Sequence, residues 1–408
     1  MSTKSGWWAR WRLPLAVILW VVWTLVATGS QVAARRMDPM WSMGWRGAVI
    51  KMTADATQMA AAPAWVPIWF VARGKGMELI PMALLANGLA AGGWIGMALL
   101  ADGIRRRMHE RREKRGEQVN LARRRLIVNA AFGGAAFAGM GGFANATVVE
   151  PWNLTLRRYR VPVKGLAKEL EGLRIVQLSD THLGPRVPAT HIRAAIEMAL
   201  RLKPDVVALT GDYIHTGEKY IEAAAGQFRA VAESAPTVGV LGNHDWYGNG
   251  PRMSVALQTV GVRMLDNRRV FVDANRRLTD DPGAGLLCVA GLGDLTEDHV
   301  DVAQALGDVA LEMPRVVLAH NPDTAELWEV ANHERIDLML SGHTHGGQVR
   351  LPFVGTPILP SAYGQKYAGG VVEGPGCRVV VSRGVGMSLM PVRIGVPPEV
   401  VEVELVGG

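Results

Sequence analysis

From residue 174 to the end of the chain, short apolar runs alternate with stretches whose apolar positions recur every three or four residues. The first pattern marks buried strands and the second amphipathic helices. Strands are predicted at 174–179, 206–210, 237–241, 262–265, 270–272, 286–292, 315–319, 336–340, 378–382 and 400–405. Helices are predicted at 190–202, 218–233, 253–259, 300–306 and 323–331. The first carries Ile192, Ala195, Ile196 and Leu200 on one face and ends before Pro204. Pro236 stops the second. Such alternation predicts an α/β domain, and the late strands, divided by Gly and Pro turns, predict a second sheet packed on the first.

Upstream the pattern changes. Apolar segments near 13–29, 80–101 and 126–148 each approach the roughly 20 residues that cross a bilayer. Residues 102–125 hold ten Lys/Arg against four Asp/Glu, a net of +6 out of a formal +7 for the whole chain. Cytoplasmic loops are the ones enriched in Lys and Arg, so this loop is expected inside and the C-terminal domain outside. Lys4, Arg10 and Arg12 before the first segment agree with that topology. The apolar stretch 59–72, interrupted by Pro63 and Pro67, is read as interfacial; as a fourth crossing it would reverse the scheme. Residues 13–34 also fit a cleaved signal peptide, and Arg123-Arg124-Arg125-Leu126 resembles a twin-arginine export signal, although ordinary anchoring accounts for the same arginines. The chain thus divides into a membrane region, 1–156, and a globular domain, 157–408.

Composition follows the same division. Eleven of the thirteen Trp lie at or before Trp152, and nine of the ten His lie after it. Interfacial aromatics and potential ligands are therefore segregated. Without the basic loop the chain is close to neutral and shows no interleaving of basic and aromatic residues, so nucleic acid is not an expected partner. Membrane lipids are, and the oligomeric state is open. Cys288 and Cys377 sit in apolar runs and read as buried small hydrophobes. Neither belongs to a CxxC, and whether they pair is open.

Five polar motifs interrupt the apolar runs of the globular domain: Asp180-Thr181-His182, Gly211-Asp212, Gly242-Asn243-His244-Asp245, Ala319-His320-Asn321 and Gly342-His343-Thr344-His345. Each follows a predicted strand, where α/β folds place their sites. Together they offer the nitrogen and oxygen donors that a paired-metal hydrolytic centre needs. Any one of them alone would read as a turn; their force is the full set in order.

In that order, with Ser179-Asp180-Thr181-His182-Leu183-Gly184, Ala319-His320-Asn321-Pro322-Asp323 and Gly342-His343-Thr344-His345-Gly346-Gly347-Gln348, residues 157–408 resemble the calcineurin-like metallophosphoesterase superfamily. Ser382-Arg383-Gly384-Val385-Gly386 and Pro397-Pro398-Glu399 resemble its bacterial membrane- or cell-wall-associated branch. The resemblance implies a four-layer α-β-β-α sandwich with a dinuclear centre at one edge. It implies that Asp180, His182 and His345 hold one metal, that Asn243, His320 and His343 hold the other, and that Asp212 bridges both. A shared carboxylate lowers the repulsion between two cations, and the mixed donor set suits Mn, Fe, Zn or Co better than Ca or Mg. A metal-bridging hydroxide is then the expected nucleophile. His244 is implied to stabilise developing charge or protonate the leaving oxygen, with Asp245 bonded to its other ring nitrogen.

Residues outside these motifs are weighed less. Arg383 reads as a phosphate clamp or a structural ion pair, His215 as a substrate contact, and Trp246 and Tyr247 as pocket walls or loop anchors. His191, His299 and His333 read as ordinary surface or capping residues. The expected function is hydrolysis of a phosphoester, preferably a diester, lipid- or wall-linked and outside the cell membrane. A phosphomonoesterase or a UDP-diacylglucosamine-type pyrophosphatase is the alternative within enzymes, and a non-catalytic membrane scaffold the alternative of another class. A decayed site would lack ligands, and none of the seven is missing.

Overall fold

Runs of Val, Leu and Ile build two mixed sheets. The computed structural model describes Gly142, residues 145–388 and residues 391–408, all within the unit Gly133–Gly408. The expected membrane segments 13–29 and 80–101 and the loop 102–125 lie outside the described residues, as does most of 126–148. Among the described residues, no helix is long and apolar enough to cross a membrane.

The first sheet contains β1 (Thr155–Val163), β2 (Leu173–Leu178), β3 (Val206–Thr210), β4 (Thr237–Val240), β5 (Arg263–Met264) and β13 (Glu399–Gly407), in the order β1-β13-β2-β3-β4-β5. Strands β2 to β5 run parallel, and β13 is antiparallel to β2 and parallel to β1. The second sheet holds β6 (Arg268–Asp273), β7 (Leu278–Thr279), β8 (Gly285–Gly291), β9 (Arg315–Leu318), β10 (Leu338–Ser341), β11 (Gly370–Glu373) and β12 (Arg378–Val381), ordered β11-β12-β10-β9-β8-β6-β7.

Strand alternation decides where the layers meet. Ile175, Val206, Val238 and Val240 of the first sheet share a buried core with Val289, Val316, Leu338 and Val380 of the second, so the sheets pack face to face. The opposite face of the first sheet, through Val176, Leu178, Val207 and Leu209, is covered by α1 (Ala189–Arg201), α2 (Ile221–Gln227), α3 (Arg229–Ser234) and α5 (Gly250–Thr259); between α3 and α5 comes α4 (Asn243–Gly248). The far face of the second sheet, through Cys288, Val317, Met339 and Val379, is covered by α6 (Val302–Leu306) and α7 (Trp328–Ala331). Cys288 and Cys377 are buried and unpaired with each other.

Three elements differ from the sequence reading. Strand β1 was not expected, because its outward residues are charged: Arg158 meets Glu402 of β13 at 2.6 Å and Arg160 meets Glu404 at 3.3 Å. An edge strand of this kind hides from a hydrophobicity pattern. The helix expected over 218–233 is broken into a short 3-10 turn, α2 and α3, where Phe228 turns into the core and meets Tyr213 edge to face at 5.4 Å. Gly242-Asn243-His244-Asp245 opens the short helix α4, where the sequence reading placed no helix.

Candidate metal centre

Asp180 follows β2, Asp212 follows β3, His320 follows β9, and His343 and His345 follow β10, while Asn243 opens α4 after β4. The parallel strands thus deliver all five motifs to the same edge of the two sheets. The backbone bends hard to do so. Asp180, His182, Asp212, His343 and His345 all have positive φ, between 47° and 66°. Left-handed conformations cost non-glycine residues energy and concentrate at sites where side-chain direction matters. Gly342 shows how little room is left: a Cβ there would collide with Ser179 Oγ and Asp180 Oδ2.

Two donor groups result. Around Asp180, His345 Nε2 lies 3.4 Å from Asp180 Oδ1 and 2.9 Å from His182 Nε2. Around Asn243, His343 Nδ1 lies 3.0 Å from Asn243 Oδ1 and 3.2 Å from His320 Nε2. Asp212 stands between them, its Oδ2 at 3.4 Å from His182 Nε2 and 3.3 Å from His320 Nε2. The donors of Asp180, His182 and His345 converge within 4.8 Å, as do those of Asp212, His320 and His343.

Supporting hydrogen bonds orient these donors. His320 donates Nδ1–H to the Thr210 carbonyl at 2.7 Å, which turns Nε2 toward Asp212. His244 N–H donates to Asp212 Oδ1 at 2.9 Å, leaving Oδ2 between the two groups. Asp180 accepts from the Ser179 hydroxyl at 2.5 Å and from His343 N–H.

The electrostatics fit divalent cations. Burial holds the His182 and His345 imidazoles well below their ordinary range. Burial, together with the charge of His320, lowers His343 to about 4. Burial raises Asp180 to about 6. Burial also opposes the charge on Asp212, but His320 outweighs it and holds that carboxyl well below its ordinary value. The neutral imidazoles of His182 and His345 therefore face one another in a buried site, their Nδ1 atoms without a hydrogen-bond partner, whereas Asp212 pushes the His320 imidazole well above its ordinary range against the effect of burial. Two Nε2 atoms as close as those of His182 and His345 share either a proton or a cation, and cation binding draws the site toward neutral imidazoles and ionised carboxylates.

His244 lies beside the first group, its ring 4.7 Å from that of His182 and edge-on to it. The expected contact from Asp245 is absent. Asp245 Oδ1 and Oδ2 accept instead from the N–H groups of Tyr213, Asp212 and Gly242, at 2.9 to 3.0 Å. Its position in the first turn of α4 points the carboxylate at the loop after β3, away from the ring. His244 Nδ1 is held by the His215 carbonyl, at 2.5 Å. His215 thus bears on the site through its backbone, while its ring stacks on that of His244 at 5.2 Å.

Arg383 lies beside Glu399. Its main-chain N–H donates to Glu399 Oε1 at 2.9 Å and its guanidinium lies 3.7 Å from Glu399 Oε2, the ion pair that the sequence reading set beside the phosphate clamp. Arg186 was missed. Its Nη1 approaches His215 Nε2 at 3.0 Å and donates to the Ser388 carbonyl at 3.2 Å. The available signal was its place four residues after His182 in a turn. Tyr247 is exposed beside His244, with ring centroids 5.2 Å apart, whereas Trp246 packs on Gly250. His191, expected at the surface, is buried and donates Nε2–H to the Val385 carbonyl at 3.0 Å.

Residues 173–347 match the family of calcineurin-like phosphoesterases. The chain is 32% identical to phosphodiesterase YaeI of Escherichia coli over 290 residues, 70% of this chain and 100% of that protein. It is 30% identical to the metallophosphoesterase YkuE of Bacillus subtilis over 283 residues, 68% of this chain and 95% of the other. A transmembrane protein with metallophosphoesterase domain from Danio rerio is 30% identical over 253 residues, 60% of this chain and 56% of its own length. Shared sequence over nearly the whole of the two bacterial relatives, joined to a buried two-group donor cluster at the sheet edge, makes this chain a member of the calcineurin-like phosphoesterase family and a metal-dependent phosphoester hydrolase.

Proposed function

We propose that the protein is a membrane-anchored phosphodiesterase with a dinuclear centre, acting outside the membrane on a lipid- or wall-linked substrate. The observation that carries the dinuclear reading is the position of Asp212 Oδ2, within 3.4 Å of one histidine from each donor group. In this reading Asp180, His182 and His345 would hold one metal, Asn243, His320 and His343 would hold the second, and Asp212 would serve both. Bound divalent cations of the Mn, Fe, Zn or Co type would supply Lewis acidity toward phosphate oxygens and acidify water at the site.

The remaining work falls to this chain's own groups. With Nδ1–H committed to the His215 carbonyl, His244 exchanges protons with substrate through Nε2 alone. A protonated Nε2 stabilises the departing oxygen and hands it a proton. Asp245 is turned away from the ring and fixes the loop that carries Asp212. The diesterase preference is supported by the similarity to a protein named as a phosphodiesterase. Anchoring is supported by the apolar segments upstream of residue 149 and by the relative named as transmembrane.

The test uses the full chain in detergent, stripped of metal and resupplied with Mn. Turnover of a chromogenic phosphodiester is followed beside the matching monoester. Metal-dependent diester hydrolysis abolished by Asp212→Asn is the expected result. Faster monoester turnover would make the protein a monoesterase, and a folded chain that binds no metal would defeat the dinuclear reading. A C-terminal reporter active only in the cytoplasm, if it gave signal, would overturn the outside placement.

A further inference from the structure

The segment that follows the donor His345 ends in an apolar tip. Leu351 and Gly355 exchange backbone hydrogen bonds at 2.8 and 3.0 Å, closing a tight hairpin that presents Pro352, Phe353 and Val354. Phe353 is fully exposed, at 109%, and Val354 and nearby Ile358 are 66% and 64% exposed. Phe353 also has φ 65°, in the left-handed region. Folding gains nothing from a large aromatic held in water in a conformation that costs energy. Residues 349–363 include no acidic residue, and Arg350 is their sole charge.

The tip is not a loose appendage. Thr356 is buried and donates its hydroxyl to the Gly346 carbonyl at 3.2 Å, next to His345. At its base Val349 forms a parallel bridge with Ile394. The same strip receives the chain as it leaves the third apolar segment: Arg393 N–H donates to the Ala146 carbonyl at 3.0 Å, and Val396 N–H to Glu150 Oε1 at 2.8 Å. Val148 and Val149 there are also exposed, at 66% and 56%. One short strip, 393–396, therefore ties together the hairpin, the metal-centre segment and the residues where the expected membrane span ends.

We propose that the hairpin 351–355, with Ile358, inserts into the headgroup–acyl boundary of the bilayer that anchors the chain, and so presents the metal centre to phosphoesters carried by lipids. The proposal rests on the membrane-anchored reading above. Aromatic and aliphatic side chains partition into that boundary, and a nearby Arg suits anionic headgroups. Insertion holds the segment bearing His345 at headgroup depth, where a lipid-linked phosphoester lies.

The experiment places a nitroxide on the full chain through Phe353→Cys, reconstituted in vesicles of phosphatidylcholine and phosphatidylglycerol. A Val255→Cys label on the outer surface of α5, 63% exposed, reports the aqueous baseline; the two native thiols are buried. Flotation with the vesicles establishes anchoring separately. A floating protein whose 353 label is relaxed by oxygen and protected from a water-soluble nickel chelate, while the 255 label is open to nickel, supports insertion. A floating protein with both labels open to nickel overturns the hairpin proposal and leaves the anchor standing. Failure to float removes the anchor and the proposal with it. Spin–spin broadening between 353 labels with protection from both reagents points to a second copy and overturns lipid insertion. As a functional arm, Phe353→Asp with Val354→Asp is expected to slow hydrolysis of a vesicle-borne diester about tenfold and leave a soluble chromogenic diester unchanged. Equal effects on both substrates would also overturn it.

Discussion

His244 Nδ1 lies 2.5 Å from the main-chain oxygen of His215, and this bond decides which ring nitrogen can reach substrate. A carbonyl can only accept, so Nδ1 carries the hydrogen of this bond and Nε2 is the nitrogen left to face substrate. His244→Ala is therefore expected to lower kcat by about a hundredfold to a thousandfold with metal content unchanged. The loss should be greater for an alkyl leaving group than for nitrophenol, which needs no proton. Equal losses across leaving groups, measured with metal analysis on the same samples, would remove the acid role.

Asp245 gives a contrasting expectation. Its buried carboxylate accepts from the backbone of Asp212, Tyr213 and Gly242. Asp245→Ala leaves these N–H groups unsatisfied and should cost about 3 kcal/mol or more, at about 1 kcal/mol or more for each lost partner. The readout is denaturant unfolding beside the pH–rate profile. Reduced stability with an unshifted profile is expected; a shifted profile in a stable variant would restore the direct partnership with His244.

Metal removal should loosen the fold. The Nε2 atoms of His182 and His345, 2.9 Å apart, can make at most one hydrogen bond to each other in place of the ligand bonds that a cation would give both. Chelation is expected to lower Tm by several degrees, and Mn at a hundredfold excess over its Kd to restore about 3 kcal/mol of stability. Calorimetry on stripped and reloaded protein checks this, with Asp212→Asn expected to respond less. An identical Tm in both states would mean that the cluster is held by the fold alone.

Asp266 supplies a pH signature away from the metal centre. Burial, helped by the charge of Asp298, raises its carboxyl from 3.8 to about 7, while Oδ1 accepts from Leu241 N–H at 2.8 Å. A raised carboxyl is protonated more readily in the folded chain than in the unfolded one. Its contribution to stability is thus complete below about pH 4 and is lost as pH rises through about 7, on the order of a few kcal/mol. Asp266→Asn should flatten that decline in Tm between about pH 4 and 7. A variant with the same slope as the parent protein would assign the decline elsewhere.

Residue type and order were enough to find most of the donor cluster. Asp180, His182, Asp212, Asn243, His320, His343 and His345 each follow an apolar run, and parallel strands bring such ends to one edge whatever their spacing in the chain. The alternation of strands and helices was legible for the same reason, since burial imposes a period on the local sequence. Tertiary structure alone decided what is set by backbone direction and by partners far along the chain. The carbonyl of His215 that holds His244 has no side-chain signature, because every residue carries one. Asp245 turned to the loop of Asp212, at 2.9 Å from its N–H, and Glu399 came to accept from the main chain of Arg383, also at 2.9 Å, because the folded backbone set those distances. Strand β1 escaped notice because its arginines are neutralised by glutamates of β13, a pairing that exists only once the two strands lie side by side.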